Sequence, residues 1–429
     1  MKYAVVIPDG AADAPLRELD GLTPLAAAHT PNLDRIAKAG RVGTAATTPG
    51  GMAAGSDVCS MSLLGFDPFV HHTGRAPLEA AAMGLETEPG DWILRVNLVS
   101  VTGQPGVMDG NGVLLDHAGG GIPSSEARVL FDDLAAHLAS EAPRVLDGLR
   151  LHHGVEYRGV AVDPSRRDYH GVETLPPHEI PGEPWERHLP DGGSAGVADR
   201  LCALIGLSHA FLDAHPLNTA RRDQGLRPAN MAWPWGQGTA ARLPAFEAAY
   251  GLRGAMTTAV DLLSGIARLI GWDVLEVGGA AGTHAENDYQ AQALATIEAL
   301  DGYDIVCCHV ETPDEAAHQA DWETKIAAIE AIDRDILGPL LTKLEGFGDA
   351  ETNPEAEGWR LLVMPDHFTR CDTRRHDAAP VPFAMAGAWV RSVVPRLMTE
   401  AEAGKSDLRV DPGHELMEYF LRGGLRGFS

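Results

Sequence analysis

Three apolar segments of this 429-residue chain end beside acidic or imidazole residues. They are residues 2–7 (KYAVVI), 304–310 (DIVCCHV) and 360–364 (RLLVM), and each predicts a strand buried in a parallel sheet. Between the last two, isoleucines and leucines at spacings of three and four over residues 326–344 predict a helix. Strands that alternate with helices in this way, near both ends of the chain, indicate an α/β fold.

The middle of the chain has a different character. From about residue 97 to about residue 236 it is rich in glycine and proline, with scattered histidine and arginine. A strand-like segment at 158–163 and a helical segment at 125–139 predict a domain of mixed α and β structure. These patterns leave two arrangements open: three domains in series, or one α/β domain interrupted by an insertion.

The net charge and the composition exclude some classes of binding partner. The chain has 34 Lys and Arg against 60 Asp and Glu, a net charge of −26, so nucleic acid and anionic membranes are poor partners. An anionic substrate therefore needs a local cation, such as a bound metal or clustered arginine. No apolar run approaches the roughly 20 residues that cross a bilayer, and the first strand ends too early for a signal peptide. The five cysteines, with Cys307 beside Cys308, indicate a reducing cytoplasm.

A set of side chains at the predicted strand ends and at one predicted helix start can act together. The set is Asp9, Ser56, Asp314, His318, Asp366, His367 and His376. Singly, each also fits an ordinary turn, cap or surface position. Together they combine carboxylates with imidazoles, a mixture that suits Mn²⁺ or Zn²⁺ better than Mg²⁺ or Ca²⁺.

Two features of local sequence support that interpretation. The spacing of four between Asp314 and His318 places both side chains on one face of a helix, as in paired metal ligands. Ser56 opens a predicted helix, where the N-terminus stabilises a transferred phosphate. The set therefore predicts two metals that clamp a phosphoryl group, with Ser56 as the nucleophile between them.

Longer segments, in the same order along the chain, carry a family resemblance. They include TPLAAAHTPNLDRIAKAG (23–40), GSDVCSMSLLGFDP (55–68), TGRAPLEAAAMG (73–84), ETPDEAAH (311–318) and PDHFTRCDTRRHDAAPVPF (365–383). In these segments the chain resembles the archaeal-type 2,3-bisphosphoglycerate-independent (cofactor-independent) phosphoglycerate mutases of the alkaline phosphatase superfamily. The matching segments extend over nearly the whole chain.

The resemblance implies an alkaline-phosphatase-like three-layer α/β domain, residues 1–96 and 237–429, interrupted by a smaller inserted α+β domain, residues 97–236, that binds substrate and acts as a lid. It implies two divalent metal ions, Mn²⁺ in the first place, with Zn²⁺ or Mg²⁺ as alternatives. The implied ligands are Asp314, His318 and His376 for one ion, and Asp9, Asp366 and His367 beside Ser56 for the other. The implied reaction interconverts 3-phosphoglycerate and 2-phosphoglycerate through a phosphoserine intermediate.

A small phosphorylated anion as substrate needs cationic anchors in the inserted part. The candidates are Arg158, His178, Arg221 and Arg222. Arginine suits this task because it binds carboxylate or phosphate with two parallel hydrogen bonds. Two positions depart from the family pattern, namely Gly121 and Gln292, where basic residues are expected.

The departures leave other activities open on the same metal site. The segments VIPDGAAD, GSDV and PLEAAAMG also resemble a branch of relatives proposed to act as homoserine kinases, which would move phosphate onto another alcohol. A phosphatase is a further alternative. A sulfatase is disfavoured because the C/S-x-P-x-R signature at the nucleophile is absent. A metal-binding protein without turnover would leave the combination of Ser56 with six matching ligand positions unexplained.

Overall fold

The computed structural model describes residues 1–107, 110–194 and 196–422 of the chain. In chain order, its strands are β1 (Lys2–Pro8), β2 (Arg41–Ala45), β3 (Trp92–Val101), β4 (Leu114–Asp116), β5 (Arg150–His153), β6 (Arg158–Asp163), β7 (Val172–Glu173), β8 (Asp191–Gly192), β9 (Met231–Thr239), β10 (Gly254–Thr257), β11 (Asp273–Leu275), β12 (Ile305–Val310), β13 (Trp359–Val363), β14 (Phe368–Arg370), β15 (Arg375–Asp377), β16 (Val381–Gly387) and β17 (Arg409–Val410).

Helices connect most of these strands. In chain order they are α1 (Pro24–Ala27), α2 (Pro31–Ala39), α3 (Ser56–Leu63), α4 (Pro68–His71), α5 (Arg75–Ala82), α6 (Ser124–Glu141), α7 (Pro143–Leu146), α8 (Val197–Asp213), α9 (Pro216–Asp223), α10 (Phe246–Tyr250), α11 (Asp261–Leu269), α12 (Tyr289–Ala299), α13 (Thr312–His318), α14 (Trp322–Ala331), α15 (Gly338–Glu345), α16 (Glu400–Ala403) and α17 (Glu415–Leu421). A π-helical segment, Ile332–Leu337, joins α14 to α15.

The chain forms two compact units. The first joins Met1–His72 to Leu243–Ser429, and the second is Thr73–Arg242. The boundaries expected near residues 97 and 236 lie inside β3 and β9, which pair with each other along most of their length. Dividing paired strands between units would leave their backbone groups without partners, so the chain changes unit before β3 and after β9. The lid function expected of the inserted part stays a prediction.

An eight-stranded sheet is the centre of the first unit, in the order β11-β10-β12-β1-β13-β16-β2-β17. The strand β1 pairs in parallel with both β12 and β13, whereas β16 is antiparallel to both of its neighbours. The three apolar segments predicted as buried strands are therefore neighbours at the middle of one sheet. Their parallel pairing places the residues that follow each strand at the same edge.

Helices pack on both faces of this sheet, as the α/β prediction requires. On one face, apolar side chains of α2, α12, α14 and α15 form a continuous core with those of β1, β12 and β13. On the other face, α17 packs on β13, and the ring of Phe420 meets that of Tyr3 edge-on. Because both faces are covered, every β1 residue from Ala4 to Ile7 is fully buried, which explains the unbroken apolar run.

The second unit is built on an antiparallel sheet in which β3 pairs with β9, β6 and β4, and β6 pairs with β5. Apolar side chains of β3, α6 and α8 form its main core. The segment predicted as a strand at 158–163 is β6, and the helix predicted at 125–139 lies within α6. Among the helices of the described residues, none has both the length and the apolar character that a membrane span needs.

Candidate functional site

Ser56 is the first residue of α3, as the sequence predicted. Its Oγ lies 3.2 Å from Nε2 of His367, a residue 311 positions away in the chain. The first N–H groups of an α-helix have no partners inside the helix, so a residue at this position faces donors that stabilise negative charge. The side chain is half-buried. Ser56 therefore stands at a place suited to a phosphorylated serine.

His367 is the meeting point of a first group of predicted ligands. It follows β13 and is fully buried, and its Nε2 lies 3.5 Å from Asp9 Oδ1 and 3.4 Å from Asp366 Oδ2. Asp9 follows β1, the strand that pairs with β13 in parallel. Adjacent parallel strands end at the same edge, so residues from opposite ends of the chain converge on one point.

A second group forms on α13 and β15. Asp314 and His318 lie four residues apart on α13, with His318 Nε2 3.2 Å from Asp314 Oδ2. His376 on β15 completes the group, because its Nε2 lies 3.5 Å from Asp314 Oδ1 and 3.0 Å from His318 Nε2. We call the two groups together the acidic centre: Asp9, Asp314, His318, Asp366, His367 and His376.

The potential ligand atoms of the acidic centre cluster in two overlapping sets. The atoms of Asp314, His318 and His376 all lie within 4.8 Å of one another, and the same holds for Asp9, Asp314 and His367. The first set is the triad that the sequence implied. The second contains Asp314 where Asp366 was expected, so Asp314 belongs to both sets.

The outer imidazoles are oriented by backbone carbonyls. His318 Nδ1 lies 3.1 Å from the carbonyl oxygen of Arg374, and His376 Nδ1 lies 3.2 Å from that of Ala54. Since a carbonyl oxygen can only accept, each Nδ1 carries a proton, so Nε2 donates to Asp314 when the ring is cationic and offers a lone pair to a metal when the ring is neutral. Two such Nε2 atoms lie 3.0 Å apart beside a carboxylate, an arrangement typical of metal-ligating histidines.

The same logic applies to His367. The hydroxyl of Thr369 donates to Asp314 Oδ1, and Nδ1 of His367 lies 3.0 Å from that hydroxyl oxygen. Because the single hydroxyl hydrogen is already used, Nδ1 of His367 donates and Nε2 is left with its lone pair. Thr369 thereby links the two groups of the acidic centre.

One carboxylate oxygen of the centre lacks a partner. Asp9 is buried, and its Oδ1 makes no hydrogen bond with any residue that the structure describes. Burial raises the pKa of Asp9, and the negative charges of Asp366 and Asp314 raise it further. At Asp314 burial acts in the same direction, but hydrogen bonds with His318 and His376 outweigh it and hold the pKa well below its usual range. A divalent cation would satisfy the free oxygen and compensate the buried charge, so these residues fit metal ions.

Sequence reasoning missed two buried groups beside this centre. His309 on β12 has its Nε2 3.0 Å from Asp9 Oδ2, and burial lowers its pKa to about 4. Lys325 on α14 donates from Nζ to Asp13 Oδ2 at 2.9 Å and to the Thr369 carbonyl at 2.7 Å. Both are fully buried. A titratable residue inside an apolar strand or beside an apolar helix stripe was the signal that could have identified them.

In the second unit, Arg158 and His178 lie among stacked cations and aromatic rings. The guanidinium of Arg95 on β3 stacks 4.0 Å from the centre of the Trp235 ring, and the ring of His178 meets the same indole edge-on at 5.6 Å. Arg158, the first residue of β6, lies 5.1 Å from the ring centre of Tyr157. Two of the four predicted anchors therefore lie in aromatic surroundings.

Electrostatic effects show that these cations are close to one another. Burial lowers the pKa of Arg95, and the charges of Arg75 and Arg158 lower it further, against the opposing effect of Glu79. Partial burial and the charges of Arg95 and Arg75 also lower the pKa of His178. Glu79 binds Arg95 with both carboxylate oxygens, at 3.1 and 2.9 Å. We call Arg75, Arg95, Arg158 and His178 the cationic cluster. In a chain of net charge −26 it marks a candidate anion-binding surface.

The other two predicted anchors have partners of their own in the second unit. Arg221 is buried and donates to Glu126 Oε2 at 2.6 Å and to the carbonyl of Gly120 at 3.1 Å. Arg222 forms an ion pair with Asp213. Both contacts are typical of arginines that stabilise a fold, and the assignment of these two residues to the substrate stays a prediction.

The two departures from the family pattern have different surroundings. Gly121 is exposed with a φ of +66°, and a Cβ built there would meet nothing within 4 Å. A basic side chain would have room at this position, although the left-handed backbone disfavours it. Gln292 on α12 is buried, accepts from Asn287 and donates to the His309 carbonyl. It is a neutral hydrogen-bonding residue of the core.

Comparison with known proteins places this geometry in context. The model of a family described as 2,3-bisphosphoglycerate-independent phosphoglycerate mutase matches residues 37–218. A protein of that name from Methanothrix thermoacetophila is 41% identical over 99% of this chain and 100% of its own length. A Geobacter sulfurreducens protein, named a probable mutase of the same kind, is 38% identical over 98% of this chain and 100% of its own. The solved structure of a protein from Pyrococcus horikoshii matches with a TM-score of 0.78 and 29% identity, covering 100% of this chain and 99% of that one.

Proposed function

The chain belongs to the family of 2,3-bisphosphoglycerate-independent phosphoglycerate mutases, and from this premise we propose that it interconverts 3-phosphoglycerate and 2-phosphoglycerate through a phosphoserine on Ser56. The observation that carries the proposal is the position of Ser56 Oγ at the start of α3, 3.2 Å from His367 Nε2. A hydroxyl at a helix N-terminus, beside a cluster of ligand-type side chains, suits a nucleophile that accepts a phosphoryl group.

The acidic centre would hold two divalent ions, with Mn²⁺ ahead of Zn²⁺ and Mg²⁺. The proposed ligands are Asp314, His318 and His376 for one ion, and Asp9, Asp366, His367 and Ser56 for the other. The Nδ1 contacts of His318 and His376 with backbone carbonyls, which direct Nε2 at the centre, and the oxygen Asp9 Oδ1 without a hydrogen bond support this assignment, and mixed nitrogen and oxygen ligands suit Mn²⁺. When bound, the ions supply positive charge that stabilises the phosphoryl group during its transfer.

Ser56 carries the phosphoryl group between the two halves of the reaction. In the first half, a bond forms from Ser56 Oγ to phosphorus while the bond from phosphorus to the glycerate oxygen breaks. The serine loses its proton and the departing glycerate oxygen gains one. In the second half, a bond forms from the other glycerate oxygen to phosphorus while the bond from phosphorus to Ser56 Oγ breaks; that glycerate hydroxyl loses its proton and Ser56 regains one, so no net change in protons occurs. The N–H groups of the first turn of α3 stabilise the phosphate charge in both halves.

The glycerate must stay bound while its two hydroxyls exchange places. We assign the hold on its carboxylate to the cationic cluster, with Arg158 and His178 as donors, because arginine binds a carboxylate through two parallel hydrogen bonds. Water that reached the phosphoserine would release free phosphate instead of product. The predicted lid role of the second unit, which excludes that water, is therefore part of the proposal.

Phosphorus NMR tests the activity directly. With purified protein, Mn²⁺ and 3-phosphoglycerate, we expect the signal of 2-phosphoglycerate to grow while no free phosphate accumulates. With homoserine and ATP, we expect no phosphohomoserine. Free phosphate as the only product would identify a phosphatase, and phosphohomoserine would identify a kinase. Mass spectrometry of enzyme quenched during turnover should find phosphate on the peptide that contains Ser56.

A further inference from the structure

His309 lies between a proposed metal ligand and the core of the first unit. It is fully buried on β12, with Nε2 3.0 Å from Asp9 Oδ2 and Nδ1 3.0 Å from Thr258 Oγ1. The other oxygen of that carboxylate, Asp9 Oδ1, has no hydrogen-bond partner in the described part of the chain and lies 3.5 Å from His367 Nε2. The imidazole thus occupies one oxygen of Asp9 and leaves the other facing the acidic centre.

The hydrogen bonds around this imidazole run in one direction. A carboxylate oxygen can only accept, so Nε2 of His309 carries the proton, and Nδ1 is left to accept the hydroxyl hydrogen of Thr258, whose oxygen accepts from the backbone N–H of Val260 at 3.0 Å. An imidazole whose Nδ1 accepts carries its proton on Nε2, and that N–H donates to Asp9 Oδ2. The chain of bonds begins at a group that can only donate and ends at the carboxylate, which sets the tautomer of His309.

Hydrogen bonds also fix the backbone around His309. Gln292 donates to the His309 carbonyl at 3.2 Å, and Asn287 donates to Gln292 at 2.9 Å. The N–H of Asp9 donates to the carbonyl of Val310, the residue after His309, at 3.0 Å. Both the backbone and the side chain of Asp9 are therefore tied to β12.

We propose that His309 is a positioning residue that orients Asp9 so that Oδ1 alone is presented to the second metal ion. The inference rests on the metal site of the proposed function. A carboxylate fixed at one oxygen loses its freedom to rotate before a metal binds, and partners of this kind behind metal ligands change metal affinity by about 10–100-fold. His309 acts through Asp9 and is not itself a catalytic residue.

Mn²⁺ binding, measured by calorimetry without substrate, is the first test. His309→Leu removes the donor to Asp9 and should weaken one of the two Mn²⁺ sites by about 10–100-fold. His309→Gln, whose amide N–H donates over a similar reach, should recover most of that affinity. Cys307→Ala is the matched control, because Cys307 is buried on the same face of β12 without contacting Asp9 through a hydrogen bond in the described residues. It should bind Mn²⁺ like the wild type.

The hydroxyl of Thr258 provides a second, gentler variant. Thr258→Val keeps the shape of the side chain but no longer enforces the tautomer of His309, so Mn²⁺ affinity should fall about fivefold, the worth of one hydrogen bond. Thr258→Ser keeps the hydroxyl and should bind like the wild type. Nitrogen NMR of labelled imidazoles should show the Nε2–H tautomer for His309 in the wild type and a mixture in Thr258→Val. This variant decides the matter if His309→Leu does not fold.

The possible failures can be told apart. Wild-type affinity for two Mn²⁺ ions in both His309→Leu and Thr258→Val, with a lower melting temperature as the sole effect, would overturn the inference and leave the mutase proposal intact. A wild-type protein that binds two Mn²⁺ ions without mutase activity would reject the proposed reaction, while the variants would still decide the role of His309. A wild-type protein that binds fewer than two ions would reject both.

Discussion

Each unit of the molecule buries a cluster of charged side chains, and the two clusters use their polar atoms differently. In the second unit, Asp163 is fully buried and accepts hydrogen bonds from Tyr169 at 2.7 Å, from Arg200 and from the N–H of Ser165 at 2.9 Å. Arg200 also donates to the backbone carbonyl of Val145 at 2.6 Å. Negative and positive charge are matched there, and every donor has an acceptor close by.

The acidic centre of the first unit is left unbalanced. Asp9 Oδ1 has no hydrogen-bond partner within the described residues, and the Nε2 atoms of His318 and His376 lie 3.0 Å apart beside Asp314. Native proteins pair nearly all of their buried polar atoms, so an unpaired carboxylate oxygen among ligand-type side chains agrees with the proposed metal ions. Burial of charge alone does not mark a functional site, whereas unused lone pairs and uncompensated charge do.

Ser56→Ala should give the largest effect and separate chemistry from folding. Turnover should fall by about 10⁴-fold or more, as expected when a nucleophile is removed. The melting temperature of the metal-free protein should not change, because the hydroxyl supports no part of the core. Ser62→Ala is the matched control on the same helix, since Ser62 is buried and its hydroxyl has no partner in the described chain. Equal activity in both variants would reject Ser56 as the nucleophile.

Removal of metal should lower both activity and stability, because it leaves the negative charge of the acidic centre uncompensated. A chelator should reduce activity to background, and added Mn²⁺ should restore it. Because bound metal stabilises the folded state by mass action, Mn²⁺ at a hundredfold excess over its Kd should add about 2.7 kcal/mol per site to the free energy of unfolding. Calorimetric melting with and without chelator measures this. Full activity and unchanged melting after exhaustive chelation would contradict the two-metal proposal.

In the second unit, Arg200→Leu should lower the stability of the fold without changing the chemistry. The variant leaves Asp163 buried without its cation, which should lower the free energy of unfolding by about 3–5 kcal/mol. The kcat of the folded fraction should stay close to the wild-type value, because this cluster has no part in the chemistry. Urea unfolding and phosphorus NMR measure the two effects. A variant that kept its stability but lost activity would mean that the cluster around Asp163 serves catalysis and not the stability of the fold.

The stability of the wild type in acid tests the same buried cluster around Asp163. Burial raises the pKa of Asp163, but hydrogen bonds with Ser165 and Tyr169 and the charge of Arg200 outweigh it, so the folded-state pKa lies below the usual value. The carboxylate therefore contributes stability above the pKa of an unfolded Asp, about 3.9, and loses it as the pH falls through the lower folded value. Asp163→Asn should lack this part of the loss of stability in acid.

Arg158→Ala should give an intermediate effect, and Arg158 lies in neither the acidic centre nor the buried cluster around Asp163. If the cationic cluster holds the substrate carboxylate, loss of one charge-assisted hydrogen bond should raise KM about tenfold with little change in kcat. The share of free phosphate among the products should also rise, because the glycerate leaves the phosphoserine more easily. Arg128→Ala removes an exposed arginine of α6 as the control. Wild-type KM and product ratio in Arg158→Ala would remove Arg158 from the substrate site.

Asp9→Asn should give the smallest effect on stability, and one of unusual sign. In the metal-free protein it removes a buried carboxylate that lies beside Asp366 and Asp314, so the free energy of unfolding should rise by about 1 kcal/mol. The same substitution should abolish activity. Urea unfolding with chelator present makes the measurement. A loss of stability like that expected for Arg200→Leu would mean that the two buried clusters are alike.

Local patterns in the sequence determined the elements that carry the site. The apolar runs predicted β1, β12 and β13, and the helix start at Ser56 was found where the sequence placed it. The spacing of Asp314 and His318 on α13 was equally readable. Side-chain periodicity, helix capping and strand ends depend on residues close together in the chain, which is why one sequence suffices to predict them.

Tertiary structure alone decided which of these residues have partners. In the sequence His309 is one residue of an apolar strand, and only the pairing of β12 with β1 brings it against Asp9, 300 residues away in the chain. The fold also brings Glu126 within 2.6 Å of Arg221, a contact that the sequence pattern around Arg221 did not indicate. The unit boundaries moved from the expected positions because β3 and β9 pair with each other. Such contacts depend on the free energy of the whole packed chain, which no short window of sequence contains.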